Sequence, residues 1–128
     1  MVPMRREDER SLWLNYALAA KLVADPDGVI ERAKKRLQRL RSIHRHSGRW
    51  FDLWEDALND GPPAVLAIMT DRSDLGQVMR SSSPIIGIGL LGEEERMQVL
   101  NAFRAYWNAA HPRNVGVNRD GTTYTVDS

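Results

Sequence analysis

The sequence predicts a mainly α-helical protein, a compact bundle of about four to six helices with a C-terminal β-hairpin or extended tail. Apolar residues recur at helical spacing over most of the first 111 residues, and clear helix-start signals such as Asp25-Pro26 separate the periodic segments. The chain has 128 residues, 42% of them hydrophobic, which suits the core of one domain. We therefore expect a helical domain at residues 1–111 and a tail or hairpin at residues 112–128.

The first predicted helix runs from Ser11, as its N-cap, to Ala24. Its apolar residues cover most of the helical wheel: Leu12, Trp13, Leu14, Tyr16, Leu18, Leu22 and Val23. A helix that is apolar on most sides has to be central in a bundle or covered by a partner.

The second helix has the clearest start signal in the chain. Asp25 can accept a hydrogen bond as N-cap, Pro26 fits the first helical position, and Asp27 meets the positive helix end. The break is so short that the first two helices should form a hairpin, and Ser47-Gly48 should end the second helix. One stripe of this helix is predicted to face the core: Val29, Ala33, Leu37, Leu40, Ile43 and His44, with Ile30 at the edge.

The same helix carries seven Lys and Arg residues between Arg32 and Arg45. They flank the apolar stripe, with Arg32, Lys35, Arg36 and Arg39 on one rim and Lys34, Arg41 and Arg45 on the other. Such rims can meet carboxylates or phosphates of a partner, or they can be solvated flanks whose methylene groups cover the core edge.

Three shorter helices should follow. The third, at residues 49–59, has a predicted buried face of Trp50, Leu53, Trp54, Ala57 and Leu58. Gly61 supplies a C-cap, and Pro62-Pro63 suits the first turn of the fourth helix, which carries Val65, Leu66, Ile68 and Met69. Ser73 can cap a fifth helix that reaches about Met79, although Gly76 weakens it.

Residues 80–92 read as a loop, because serines, Pro84 and three glycines interrupt any regular pattern. The loop is unusually apolar, so Ile85, Ile86 and Ile88 should tuck against the bundle or against another chain. The last helix should begin near Gly92, with three glutamates at its positive end, and Pro112 should stop it. Its predicted buried stripe is Val99, Leu100, Phe103, Tyr106, Trp107 and Ala110.

The C-terminal residues differ from the rest in favouring β structure. Val115-Gly116-Val117, a turn at residues 118–121 and a strand from Thr122 to Val126 predict a hairpin. A lone two-stranded hairpin is marginal in water, so we expect this one to lie on the bundle, to add to the sheet edge of a partner, or to remain disordered.

The composition limits the classes of function. The net charge is +1 and the isoelectric point near 8.2, below the value of about 9 that is typical of a dedicated nucleic-acid-binding domain. There is no cysteine, which excludes disulfides and thiolate chemistry and fits a reducing cytosol. No apolar run approaches the ~18 residues of a membrane span. We expect a cytoplasmic protein without cofactor or metal.

The segment Gly87-Ile88-Gly89-Leu90-Leu91-Gly92 matches the G-x-G-x-x-G pattern of dinucleotide-binding turns. That motif needs a buried strand before it and a helix N-terminus that can bind the negatively charged phosphates. Here three negatively charged glutamates occupy the start of the helix. We interpret the segment as a close-packed loop.

His44 and His46 each follow an arginine after four intervening residues, Arg39 and Arg41. This spacing resembles the arginine–histidine motif of HEPN-type helical ribonucleases, in which the two side chains handle the 2′-hydroxyl and phosphate of RNA. The polar residue that usually follows the arginine is missing here. On a helix, two histidines two positions apart point away from each other, which disfavours a metal site, and Ser81 to Ser83 have no partners at the spacing of a known hydrolase triad.

Several residues at helix ends, in turns and in the predicted core resemble those of a group of small actinobacterial proteins. These proteins are attached to, or encoded beside, helix-turn-helix modules and toxin genes. The matching residues are Asp25-Pro26, Arg49-Trp50, Trp54-Glu55, Asp60-Gly61-Pro62, Ser83-Pro84, Glu94-Glu95-Arg96 and Phe103-Arg104. The resemblance implies an antitoxin that neutralises a cognate toxin, with transcription regulation supplied by a separate helix-turn-helix. This chain lacks a convincing DNA-binding module of that kind.

We therefore expect a non-enzymatic protein-binding module, the antitoxin of a toxin–antitoxin pair. Its expected partner-binding residues are Arg32, Lys35, Arg36, Arg39, Ile85, Ile86, Ile88 and Tyr124. The alternatives are a DNA- or RNA-binding regulator that uses the basic helix 29–46 and a HEPN-like helical ribonuclease. The sequence is also compatible with a homo-oligomer.

Overall fold

A computed structural model describes residues 4–44, 48–111, 115–117 and 119–125 of the chain. The prediction of a mainly helical fold is confirmed, because six helices account for most of the described residues. They are α1 (Arg6–Ala24), α2 (Pro26–Ile43), α3 (Gly48–Asp60), α4 (Pro62–Met69), α5 (Asp74–Ser81) and α6 (Glu93–Ala110). Helix α1 packs against α2, α4 and α6, while α3 lies between α2 and α4. In the described part of the chain, no helix is both long and apolar enough to cross a membrane.

Helix α1 begins at Arg6, so the prediction that Ser11 caps it was wrong. Glu7, Asp8 and Glu9 occupy its first turn, where their charges meet the positive end of the helix dipole. The carbonyl of Ser11 lies inside the helix and accepts a hydrogen bond from Nδ2 of Asn15 over 2.9 Å. The sequence did not predict the start of α1 at Arg6, because the added turn is charged and has no apolar periodicity.

The predicted joint between α1 and α2 is confirmed. Asp25 is at once the C-cap of α1 and the N-cap of α2, and its Oδ1 accepts a hydrogen bond from the backbone N–H of Gly28 over 3.2 Å. Pro26 holds the first position of α2. The two helices therefore meet with a single residue between them.

The buried stripe of α2 is shorter than predicted. Val29, Ala33 and Leu37 are buried and Leu40 packs against the core, but Ile43 is 68% exposed and His44 is exposed as well. Helix α2 ends at Ile43 before this last turn can reach the core. The predicted end at Ser47, together with Arg45 and His46, lies outside the described residues.

Helix α3 buries Phe51, Trp54, Ala57 and Leu58. The predicted face contained Leu53, which is instead exposed, and it omitted Phe51. Trp54 is fully buried, whereas Trp50 is half-buried and packs at the edge of the core. Gly61, with φ of 111°, makes the sharp joint to α4, whose first turn is Pro62-Pro63 as predicted.

Helix α5 begins as predicted, because the Ser73 hydroxyl accepts a hydrogen bond from the backbone N–H of Gly76 over 3.2 Å. It continues to Ser81, past the predicted end. The added turn buries Arg80, which is 1% exposed. Its Nη1 donates to the backbone oxygens of Asp71 and Ile68, and burial lowers the pKa of its guanidinium. Its Nε and Nη2 have no hydrogen-bond partner among the described residues.

Residues 82–92, which we call the apolar loop, fold back onto the bundle without forming a helix or strand. Ile85 and Ile88 belong to the main core, and Leu90 and Leu91 pack against it. Helix α6 then lies along α1, and Leu100 and Phe103 are its buried residues. The predicted buried stripe was too wide, because Tyr106 and Ala110 are exposed. Helix α6 packs against α1 on one side, which buries a narrower stripe.

Two short strands follow, β1 (Val115–Val117) and β2 (Thr123–Thr125), which pair antiparallel with Gly116 opposite Tyr124. In the turn, the backbone N–H of Thr122 donates to Oδ1 of Asp120 over 3.0 Å. Strands of three residues are too short to be stable alone. The stable hairpin at residues 112–128 therefore stays a prediction.

Candidate functional site

A groove with one cationic wall runs between α2 and the apolar loop. Its lining consists of Arg32, Lys35 and Arg39 from α2 and of Gly87-Ile88-Gly89 from the loop, around a volume of about 420 Å³. We call it the basic groove. The three cationic side chains are exposed, and no acidic residue is present in its lining as far as the described residues go.

The core holds both walls of the basic groove in place. On α2, Ala33 and Leu37 are buried on the face that turns away from the groove. On the loop, Ile88 is buried between its two glycines. The backbone positions that carry the three cations and the loop wall are therefore fixed before a partner binds, whereas the exposed cationic side chains would lose rotamer freedom on binding.

The loop can approach α2 this closely because of its glycines. Gly87 and Gly89 have φ of 90° and 75°, in the left-handed region that other residues rarely adopt. A Cβ on Gly87 would lie 3.4 Å from Nη2 of Arg36, and one on Gly89 would lie 3.7 Å from Nη2 of Arg32. The segment that resembles a dinucleotide-binding turn is thus the loop wall of the groove, and helix α5 precedes it in the chain.

The cations of the groove are largely without internal counter-charges. Nζ of Lys35 lies 3.5 Å from Oε1 of Glu31, an exposed pair of little energetic weight. Within the described ranges, no ion pair involves Arg32, Arg36 or Arg39. Arg36 is half-buried, and its Nε has no hydrogen-bond partner in the same part of the chain.

The opposite rim of α2 differs at Arg41, because acids of α3 pair with this residue. Nη2 of Arg41 lies 2.8 Å from Oδ1 of Asp52 and 2.7 Å from Oε2 of Glu55. The hydrogen bond that Arg41 donates to Asp52 is the main reason why the pKa of Arg41 is raised. Arg41 thus helps to hold α2 and α3 together, whereas Arg32 and Arg39 have no ion pair among the described residues.

The apolar half of the predicted partner site is mostly buried. Ile85 and Ile88 are 0% and 8% exposed and belong to the core, so they offer a partner little surface. Ile86 is the exposed residue of the three, at 47%. Tyr124 lies in β2, but its side chain is outside the described part of the structure.

Of the two arginine–histidine pairs, the one that the structure describes, Arg39 and His44, does not line a common cavity. Arg39 lines the basic groove, whereas His44 lines a separate cavity of about 310 Å³ with Arg36 and Ser81 to Ser83. The lining described for this cavity holds no acid that could orient His44. The hydroxyls of Ser81 and Ser82 donate to backbone oxygens one turn back in the chain. His46 lies outside the described residues.

Another cleft escaped prediction altogether. It has a volume of about 450 Å³ and lies between the first half of α1 and the apolar loop. Its polar residues are Glu7, Arg10, Ser11, Asn15 and Arg96. Two of them, Glu7 and Arg10, lie on a turn of α1 that the sequence did not assign to a helix. The only sequence feature that could have indicated this cleft was the apolar character of the loop.

The basic groove is therefore the strongest candidate site among the described residues. In the same residues, no group of three His, Asp or Glu side chains could hold a metal ion. Comparisons with protein-family models, curated proteins and solved structures found no match to this chain.

Proposed function

We propose that this protein is a non-enzymatic binding module that holds an acidic protein partner in the basic groove, and that the partner is a toxin that it neutralises. The observation that carries the proposal is the row of Arg32, Lys35 and Arg39 on a rigid helix, exposed and facing no acid across the groove. The antitoxin role itself rests on the sequence resemblance. The stable C-terminal hairpin, as a strand added to the partner, belongs to the same proposal.

Carboxylates suit this site better than a neutral ligand would. Guanidinium groups bind carboxylates in a planar two-bonded geometry, and a preformed row of cations speeds the encounter with an acidic surface. The chain already contains a guanidinium held by two carboxylates, because Nη2 of Arg41 on α2 contacts one oxygen each of Asp52 and Glu55 on α3. A helix of the partner with acids one turn apart would repeat this arrangement in the basic groove.

The test is co-expression of the tagged protein with the product of the neighbouring gene, followed by calorimetry on the purified complex. The variant Arg32→Glu/Lys35→Glu/Arg39→Glu should weaken binding by about a hundredfold or more, since each reversed rim charge costs roughly 1 kcal/mol or more. The matched control is Lys34→Glu/Arg49→Glu/Arg104→Glu, which changes the net charge equally at exposed positions outside the groove. Equal affinities of the two variants would refute the proposal.

The basic groove also favours a second candidate, a DNA or RNA phosphate backbone. Three cationic contacts predict that the logarithm of the binding constant falls with the logarithm of the salt concentration with a slope of about −3. The test uses a DNA duplex or an RNA probe. If the probe binds with this slope, and binding is lost in the groove variant but not in the control, the partner of the groove is a nucleic acid and not a protein. RNA cleavage by the wild type that is lost in His44→Ala would instead favour the ribonuclease.

A further inference from the structure

The cleft between α1 and the apolar loop, which we call the α1 cleft, has the shape of a small-molecule site. Its volume of about 450 Å³ falls in the range of ~300–1,000 Å³ that is usual for ligand pockets. Its apolar lining is contributed by Leu14, Leu18, Ile85, Ile86, Leu90 and Leu91. An aliphatic group in the cleft would therefore be in contact with aliphatic side chains on both the helix and the loop.

The charged residues of the α1 cleft are two arginines and one glutamate. Arg10 is half-buried, and the ion pairs of the described residues do not include it. Nη1 of Arg96 lies 3.7 Å from Oε1 of Glu93, a long contact between two exposed groups. With Glu7 as the only acid in the described lining, the cleft has an excess of positive charge.

A buried polar atom also points to a ligand. Asn15 is fully buried in the lining of the cleft, and its Nδ2 is used by the carbonyl of Ser11. Its Oδ1 has no hydrogen-bond partner among the described residues. A buried amide oxygen without a donor is costly, and a hydroxyl or amide N–H of a ligand would supply one.

We propose that the α1 cleft binds a small amphipathic carboxylate, with an aliphatic body and a hydrogen-bond donor beside its head group. The carboxylate lies between Arg10 and Arg96, the donor meets Oδ1 of Asn15, and the aliphatic body lies between α1 and the apolar loop. This inference does not rest on the protein partner of the basic groove.

Three probes separate the parts of this proposal: β-hydroxyoctanoate, octanoate without the donor, and methyl β-hydroxyoctanoate without the charge. Titrations followed by backbone amide NMR shifts should give β-hydroxyoctanoate the lowest dissociation constant, with each of the other two weaker by about three- to tenfold. The shifts should cluster at residues 10–18 and 85–91. Equal affinity of the methyl ester, or shifts confined to other helices, would overturn the proposal.

The variants then test the assigned residues. Arg10→Gln and Arg96→Gln should each raise the dissociation constant of β-hydroxyoctanoate and leave that of the methyl ester unchanged, whereas Arg49→Gln, outside the cleft, should alter neither. The triple groove variant should bind the probe as the wild type does, which separates this site from the proposed function. If residues of the cleft shift with protein concentration in the absence of probe, a second copy of the chain occupies it and the proposal is wrong.

Discussion

The indole Nε1–H of Trp54 donates a hydrogen bond to the backbone oxygen of Met79 over 2.8 Å. Both residues are buried, and the bond joins the middle of α3 to the last turn of α5. The same oxygen accepts hydrogen bonds from the backbone N–H and the hydroxyl of Ser82, each over 3.2 Å. The start of the apolar loop is thus tied to the tryptophan at the centre of α3.

Replacing Trp54 by Phe should lower the free energy of unfolding by about 1–3 kcal/mol. The change removes the indole hydrogen bond and leaves part of a buried volume empty, and each effect is worth about 1 kcal/mol. Urea unfolding followed by circular dichroism measures the loss. Trp50→Phe is the matched control, because Trp50 is half-buried and its ring contact to Arg49 is at the surface. A loss as large in Trp50→Phe would contradict the prediction.

Alanine at Gly87 or Gly89 should destabilise the protein by about 1–2 kcal/mol, since each residue has a positive φ that a Cβ disfavours. In Gly87→Ala the new methyl group would also press on the guanidinium of Arg36. Gly48→Ala is the control, because Gly48 lies in α3 with open space around its Cα and should be neutral or stabilising. Thermal unfolding of the three variants measures the loss of stability. Similar melting temperatures for all three would argue against a strained loop.

The ion pair between α1 and α6 should be visible in the titration of Glu95. Oε2 of Glu95 lies 2.7 Å from Nζ of Lys21, and Oε1 accepts a hydrogen bond from the backbone N–H of Gly92. The Lys21 contact, and then the Gly92 hydrogen bond, hold the pKa of Glu95 below its ordinary value of 4.5. In Lys21→Met the NMR-detected pKa of Glu95 should rise towards that value, whereas Lys35→Met should leave it unchanged.

The sign of the stability effect follows from this lowered pKa. A carboxylate with a depressed pKa in the folded state stabilises the protein above its unfolded pKa, and this contribution is lost as the pH falls through the folded pKa. The wild type should therefore exceed Glu95→Gln in stability at neutral pH, and the difference should shrink below about pH 4.5. A difference that grows in acid would contradict the ion pair.

The buried guanidinium of Arg80 should contribute mainly through its packing. Arg80→Ala should cost about 2–4 kcal/mol, because it opens a cavity and frees the backbone oxygens of Asp71 and Ile68. Arg80→Met keeps much of the volume and removes a buried charge, so it should cost less than about 2 kcal/mol. Chemical unfolding compares the two. A loss in the methionine variant as large as that in the alanine variant would show that the hydrogen bonds of Arg80 outweigh its packing.

The features predicted well are those that depend on neighbouring residues. The caps at Asp25 and Ser73 are hydrogen bonds between residues three positions apart. The prolines that open α4 act within the first helical turn. Such local features can be predicted from sequence spacing alone. The location of Arg32, Lys35 and Arg39 on one exposed face of α2 also follows from helical geometry.

The features that were missed depend on distant parts of the chain. Ile85 and Ile88 lie in the core while Ile86 between them is exposed, an outcome set by how the loop folds onto α1 and α2. The burial of Arg80 contradicts the usual exposure of arginine, and it depends on carbonyl groups that the end of α4 and the following turn bring near. Which rim of α2 stays open depends on the acids of α3, and pairing across helices cannot be read from spacing.

The one-residue joint at Asp25 limits how this chain can vary in length. Each residue added to an α-helix turns it by about 100°, so an insertion beside Asp25 would rotate Ala33 out of the core and Arg32 away from Gly89. Insertions are better tolerated between β1 and β2, because residues 119–122 lie at the surface. Natural variants of this protein should therefore conserve the spacing from α1 to α2 and differ in length elsewhere.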